Sequence, residues 1–308
     1  MRPIRAPTLG DGIKLVVLGA IWGSAFLCVE IALRGFPPLT LAASRLLLSA
    51  VLLVTLAFWT GIGLPKARRD WLLLLLAGLF NATLPFLLIA WGQQFISSAL
   101  AAILLGVQPF IALLLAHWLT ADDRITRAKV IGMSLGFSGI LFILGNQALE
   151  GVDQGLWGKL AVLLAALGFT VSSLLTRQVS HLEPVSSSAA ALLMAALYMI
   201  PIALLVDRPS FTGIPAEAWT AMIFLGLVSS GVAALLRYQL VRETGVTFLS
   251  QVSYLIPLFG VFWSWLFLGH LPGYSAWVGL VLIFAGLAIS RLRPENLGVL
   301  ARRRQEKI

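Results

Sequence analysis

The stretch WLLLLLAG at residues 71–78 and its echo WTAMIFLG at residues 219–226 decide the fold. Each opens on a tryptophan and closes on a glycine, and each lies in an apolar run long enough to cross a bilayer, which takes ~20 residues as a helix. A separation of 148 residues relates Trp71 to Trp219, Gly78 to Gly226 and Pro109 to Pro257. Gly132 and Gly139 find Gly279 and Gly286 at one residue less, and Lys14 and Gly23 correspond more weakly to Lys159 and Gly168. Isolated matches on an apolar background arise by chance. A shared spacing across three successive segments carries more weight.

Working outward, hydropathy predicts an all-α membrane protein with ten spans, near 13–33, 39–60, 71–91, 97–119, 129–146, 156–177, 185–206, 217–237, 246–268 and 274–291. The repeat divides the chain into two five-helix units, 1–150 and 151–308, the second ending in a basic tail. Five helices is an odd number, so with short loops the second unit must sit upside down relative to the first. Inverted repeats of this kind belong above all to transporters. Apolar residues make up 59% of the chain and charged residues 11%, against ~25% charged in a soluble domain. No stretch is long or polar enough for an appended soluble enzyme.

The net charge of +9 invites a nucleic-acid reading, and its placement argues against one. With the N-terminus inside, 18 of the 22 basic residues fall in cytosolic segments, while Arg34, Lys159 and Arg208 lie outside and Arg45 lies within a span. That is the positive-inside bias. Both termini are expected in the cytosol, and Arg302, Arg303 and Arg304 would favour the anionic inner leaflet. The N-terminal apolar run continues to Leu33 without a small-residue cleavage site, which predicts a retained first span. Cys28 is the single cysteine, so neither an intrachain disulfide nor a cysteine-based metal site is expected. No cofactor is implied. Eight of the ten tryptophans fall near predicted span ends, where aromatic belts sit. Trp22 falls mid-span instead, as packing filler or as the wall of a cavity.

Buried polar residues are few. Glu30 lies about one turn from the outer end of the first span, and Arg45 about two turns into the second. An ion pair at the outer mouth, with a role in coupling, is one reading, and snorkelling of both side chains outward is the other. No acid falls near the midplane, which favours uniport over obligatory proton antiport. Neutral polar residues form stripes at helical spacing: Ser97, Ala101, Leu104 and Gln108 on span four, and Thr247, Gln251, Tyr254 and Leu258 on span nine. Pro85, Pro109 and Pro257 each free a carbonyl one turn back, at Asn81, Leu105 and Ser253. Interhelical hydrogen bonding, at ~0.6 kcal/mol a pair, is the plain explanation for any one of these. Taken together they predict a central cavity formed by Trp22, Phe26, Asn81, Phe86, Gln108, Phe169, Gln251 and Tyr254, with the three prolines as hinges. Such a cavity suits an amphipathic neutral solute and suits a phosphate poorly.

Several local motifs resemble the EamA-type branch of the drug/metabolite transporter superfamily: Trp22-Gly23-Ser24-Ala25-Phe26, Pro37-Pro38 followed by a lone Arg45, Ser97-Ser98-Ala99 with Pro109, and Ile131-Gly132 with Gly139. The resemblance spans the chain as two units. It implies a transporter, and in its details a bacterial inner-membrane exporter of aromatic or other neutral amino acids. It also implies an acid after spans four and nine. Asp122 and Asp123 stand after the former, whereas Gly269 and His270 stand after the latter. The family's alternative is drug or other-metabolite efflux by proton antiport. Expected partners are the small-molecule substrate and the bilayer, with a homo-oligomer left open. An enzyme reading is weak. Gly136-Phe137-Ser138-Gly139 mimics a protease motif, but its serine aligns with Ala285 and the three histidines fall at span ends or in loops.

Overall fold

The computed structural model describes residues 7–119, 127–150, 154–179, 181–244, 246–249 and 251–290. Asp122, Asp123 and the basic tail lie outside them. All regular structure among the described residues is helical: α1 Leu9–Ala32, α2 Pro38–Trp59, α3 Arg68–Gly78, α4 Leu84–Gly92, α5 Ser98–Leu105, α6 Gln108–Leu119, α7 Arg127–Glu150, α8 Gln154–Gln178, α9 Pro184–Val206, α10 Ala216–Phe224, α11 Ala233–Thr244, α12 Val246–Leu249, α13 Val252–Leu268 and α14 Tyr274–Ser290. Two π-helical segments, Leu79–Thr83 and Leu225–Val232, join α3 to α4 and α10 to α11. Six continuous helical stretches are long and apolar enough to cross a membrane, and four shorter apolar stretches accompany them.

Local chemistry sets the helix ends. Thr8 and Asp11 form a capping box that starts α1 at Leu9, four residues ahead of the hydropathic run. Pro38 and Pro184 open α2 and α9 at the first helical position, where a missing N–H costs nothing. Gly269 ends α13 in the left-handed region at φ 68°, which only glycine adopts freely. Pro85 cannot donate to the Asn81 carbonyl, and the chain there takes a π turn in which the Leu84 N–H donates to the Leu79 carbonyl. Shifted by the 148-residue spacing, this first π segment falls at 227–231, inside the second.

Ala42, Leu46 and Leu53 of α2 are buried in one cluster with Ala189, Ala196, Met199 and Ala203 of α9. Many large apolar side chains point outward, among them Val51, Phe137, Leu205, Phe267 and Val281. In water such a surface would be a liability. Against acyl chains it is the ordinary exterior.

Three helix pairs run antiparallel at very close range. A methyl group on Gly139 of α7 would stand 2.8 Å from the Gly279 carbonyl oxygen of α14, and Gly286 meets Gly132 reciprocally. Ser98 and Ser264 hydroxyls bond at 3.0 Å between α5 and α13, Ala102 faces Gly260, and Gly106 lies against Pro257. Thr40, near the start of α2, donates its N–H and its hydroxyl to Asp207, just past the end of α9, at 2.7 and 2.8 Å. The prolines of spans four and nine do not sit in matching geometry. Span four breaks at Gly106 and Val107, and Pro109 follows inside the first turn of α6. Pro257 lies within continuous α13, and the nearest described turn residue on its N-terminal side is Gln251.

Candidate substrate site

Arg45 organises the site. It projects from α2, is 7% exposed, and donates from Nε to the Ser230 hydroxyl at 2.7 Å and from Nη2 to the Ser229 hydroxyl at 3.3 Å. Both serines belong to the second π segment, whose wider turn places two successive hydroxyls within reach of one guanidinium. The guanidinium carbon lies 3.7 Å from the centroid of the Phe86 ring, a cation–π contact. Phe86 in turn packs on Phe169 of α8, with centroids 6.4 Å apart. Thr83, in the first π segment, donates its hydroxyl to the Tyr198 hydroxyl of α9 at 2.9 Å. α2, α4, α8, α9 and the two π segments are linked by these contacts into one polar–aromatic node.

The expected pairing of Glu30 with Arg45 is not what the structure holds. Glu30 Oε2 accepts the Ser98 backbone N–H at 2.7 Å, and Oε1 lies 3.1 Å from His270 Nδ1. Glu30 thereby caps α5 and ties α1 to the turn after α13. His270 stands where the family resemblance implied an acid, and it meets an acid supplied by α1.

The other expected cavity residues divide. Phe86 and Phe169 come together as described. Asn81 lies half-buried in the first π segment. Phe26 is buried among Ile89, Ile96 and Ala99. Trp22 packs partly buried against the cluster that holds Leu18, Leu240 and Val252, and Tyr254 packs against Phe284 at 5.8 Å. Gln108 is half-buried at the start of α6, and Gln251 is exposed in the turn before α13. Phe26 and Tyr254 belong to one apolar cluster, and Trp22 packs on a neighbouring one that includes Val252 of α13. α1 meets α13 through glycine: Gly23 lies on Phe259 and Gly260. Ser138 donates to the Ser134 carbonyl at 2.9 Å, which is packing rather than a nucleophile's geometry.

Sequence reasoning missed Ser229, Ser230, Tyr198 and Gln93. The serine pair directly after Leu227 and Val228 was the available signal, since two hydroxyls deep in an apolar run need a partner. Gln93 donates from Nε2 to the Phe26 carbonyl at 2.8 Å and leaves its Oε1 buried without a partner.

A multi-pass helical bundle whose polar groups converge between packed helices, with apolar side chains outside, is the architecture of a membrane transport protein. The chain belongs to the EamA-like transporter family, which matches it twice, over residues 11–145 and 156–292. It is 24% identical to the uncharacterized transporter YoaV of Bacillus subtilis (strain 168), over 89% of this chain and 94% of that protein. It is 25% identical to a probable terminal-alkyne amino-acid exporter of Streptantibioticus cattleyicolor, over 94% of this chain and 95% of that one. A solved crystal structure superposes with a TM-score of 0.66 at 18% identity, covering 92% of this chain and 97% of the other, which is a likeness of fold.

Proposed function

We propose that this protein exports small neutral metabolites, amino acids foremost, from the bacterial cytosol by alternating access. The ten spans would be α1, α2, α3–α4, α5–α6, α7, α8, α9, α10–α11, α12–α13 and α14, arranged as two inverted repeats. The observation that carries this reading is the reciprocal glycine contact. Under the repeat, Gly132 corresponds to Gly279 and Gly139 to Gly286, so the Gly139–Gly279 contact maps onto the Gly286–Gly132 contact. Corresponding helices that run antiparallel belong to units of opposite orientation. The pairs α5 with α13 and α2 with α9 support the same relation. A site between such repeats can open to either side as they rock.

The name of the Streptantibioticus relative supports an amino-acid substrate. The node itself supports an amphipathic one, since aromatic rings and hydroxyls stand side by side. Among the described residues no carboxylate bonds to the node, which favours uniport over a proton relay. A helical bundle with a lipid-facing exterior fits the inner membrane, since bacterial outer-membrane spans are β-barrels.

Growth tests the reading. Cells expressing the protein should tolerate a toxic analogue of phenylalanine better than cells without it. Protection against lipophilic cations, with none against the analogue, would identify a drug pump instead.

A further inference from the structure

We propose that Arg45 receives the carboxylate of the transported solute, so that the central site selects monocarboxylates bearing an apolar side chain. The inference rests on the transporter reading above and names the charge that its site accepts. Arg45 follows the start of α2 by seven residues, about 10 Å along the helix at 1.5 Å per residue. It is 7% exposed at that depth. Its two bonded donors go to the neutral hydroxyls of Ser229 and Ser230, and its face is covered by the Phe86 ring. Among the described residues Arg45 forms no ion pair with an Asp or Glu, and its guanidinium makes no hydrogen bond beyond those two.

A guanidinium keeps its proton under biological conditions, so this site cannot escape its charge by neutralising. A buried cation held by neutral groups alone is costly, and a site that tolerates it is organised for an arriving anion. The fixed fork of a guanidinium matches a carboxylate in plane and spacing. Ser229 and Ser230 accept from Arg45, and each retains a hydroxyl proton for a second oxygen. The Phe86 and Phe169 rings offer an apolar wall beside the charge. One guanidinium balances one carboxylate and would leave a phosphate dianion half compensated.

Thermal melting of the purified full chain in detergent tests this with two probes of one shape, 3-phenylpropionate and uncharged 3-phenylpropanamide. The acid should raise the melting temperature of the wild type, and the amide should not. In Arg45→Gln the half-saturating concentration of the acid should rise about tenfold or more, as expected for a lost charge-assisted hydrogen bond. Arg45→Lys should fall between. If Arg45→Gln does not fold, Ser230→Ala keeps the cation but removes the acceptor for Nε, and should weaken the acid several-fold while leaving the amide unchanged. Equal effects of acid and amide on the wild type would overturn the proposal. So would a full acid preference retained in Arg45→Gln or, where that variant does not fold, in Ser230→Ala. Acid-specific stabilisation in a protein that transports no amino acid would refute the amino-acid reading and leave this one standing. Transport of phenylalanine with no acid preference would do the reverse.

Discussion

Replacing Gly23 with alanine should separate two helices that the account holds in backbone contact. At the crossing of α1 and α13, a Cβ on Gly23 would stand 2.6 Å from Phe259 Cβ, 2.9 Å from the Gly260 nitrogen and 3.0 Å from the Ile256 carbonyl oxygen. Two of these three atoms are backbone and the third is fixed to it, so no rotamer change relieves the clash. An ordinary carbon contact is ~3.5–4.0 Å, so the helices must part by about 1 Å. Overpacking of this kind costs about 1–3 kcal/mol. Gly12, on the same helix, has nothing within 4 Å of its added methyl group. There alanine should gain about 0.5–1 kcal/mol from helix preference alone. The two variants should therefore differ by about 1.5–4 kcal/mol, in opposite directions from the wild type. Thermal melting of the purified proteins in one detergent measures the order. Gly23→Ala melting together with, or above, Gly12→Ala would refute the close crossing.

Glu30→Gln keeps an acceptor for the Ser98 N–H but removes the carboxylate from its contact with half-exposed His270, and should cost at most ~1 kcal/mol. Glu30→Leu also uncaps α5 and should cost ~1–2 kcal/mol, so a melting order with the leucine variant above the glutamine variant would be contradictory. Gln93→Leu removes a buried acceptor that has no partner, together with one donor, and should change stability by less than ~1 kcal/mol; a larger loss on melting would mean that the orphan oxygen is engaged. Pro109→Ala and Pro257→Ala should lower transport more than expression, with Pro109 the more sensitive because it follows the span-four break; unchanged uptake in both and in the double variant would leave them as packing residues. In a Cys28→Ser background, a cysteine at exposed Thr212 should react with an impermeant reagent from outside, and one at exposed Lys66 should not; the opposite pattern would invert the topology.

The apolar helices and the family were legible because both depend on composition and local motifs, which sequence displays directly. Gly132, Gly139, Gly279 and Gly286 stood out by their matched spacing, and α7 and α14 meet through these four residues. The π segments were not legible. A bond from residue i to i+5 leaves no hydropathic trace, and Pro85 announced only that a bond was missing. Partners across helices were legible in part. Phe86 and Phe169, both named from the sequence, are in ring contact, whereas Glu30 turns to Ser98 and Arg45 to Ser229 and Ser230. Helical spacing fixes which residues share a face, but rotation and tilt of the helix decide what that face meets. Gln251 shows the limit most plainly. Its stripe assumes an unbroken helix, and Gln251 is a turn residue ahead of α13.

Counterflow into proteoliposomes tests the central claim most directly. Vesicles carrying the purified protein are loaded with unlabelled amino acids one at a time and diluted into the same labelled amino acid, with and without a pH gradient. The account predicts transient accumulation of label for amino acids with apolar side chains, phenylalanine among them, undiminished when the gradient is removed. No accumulation for any amino acid would contradict it, and accumulation that requires the gradient would replace uniport with proton coupling.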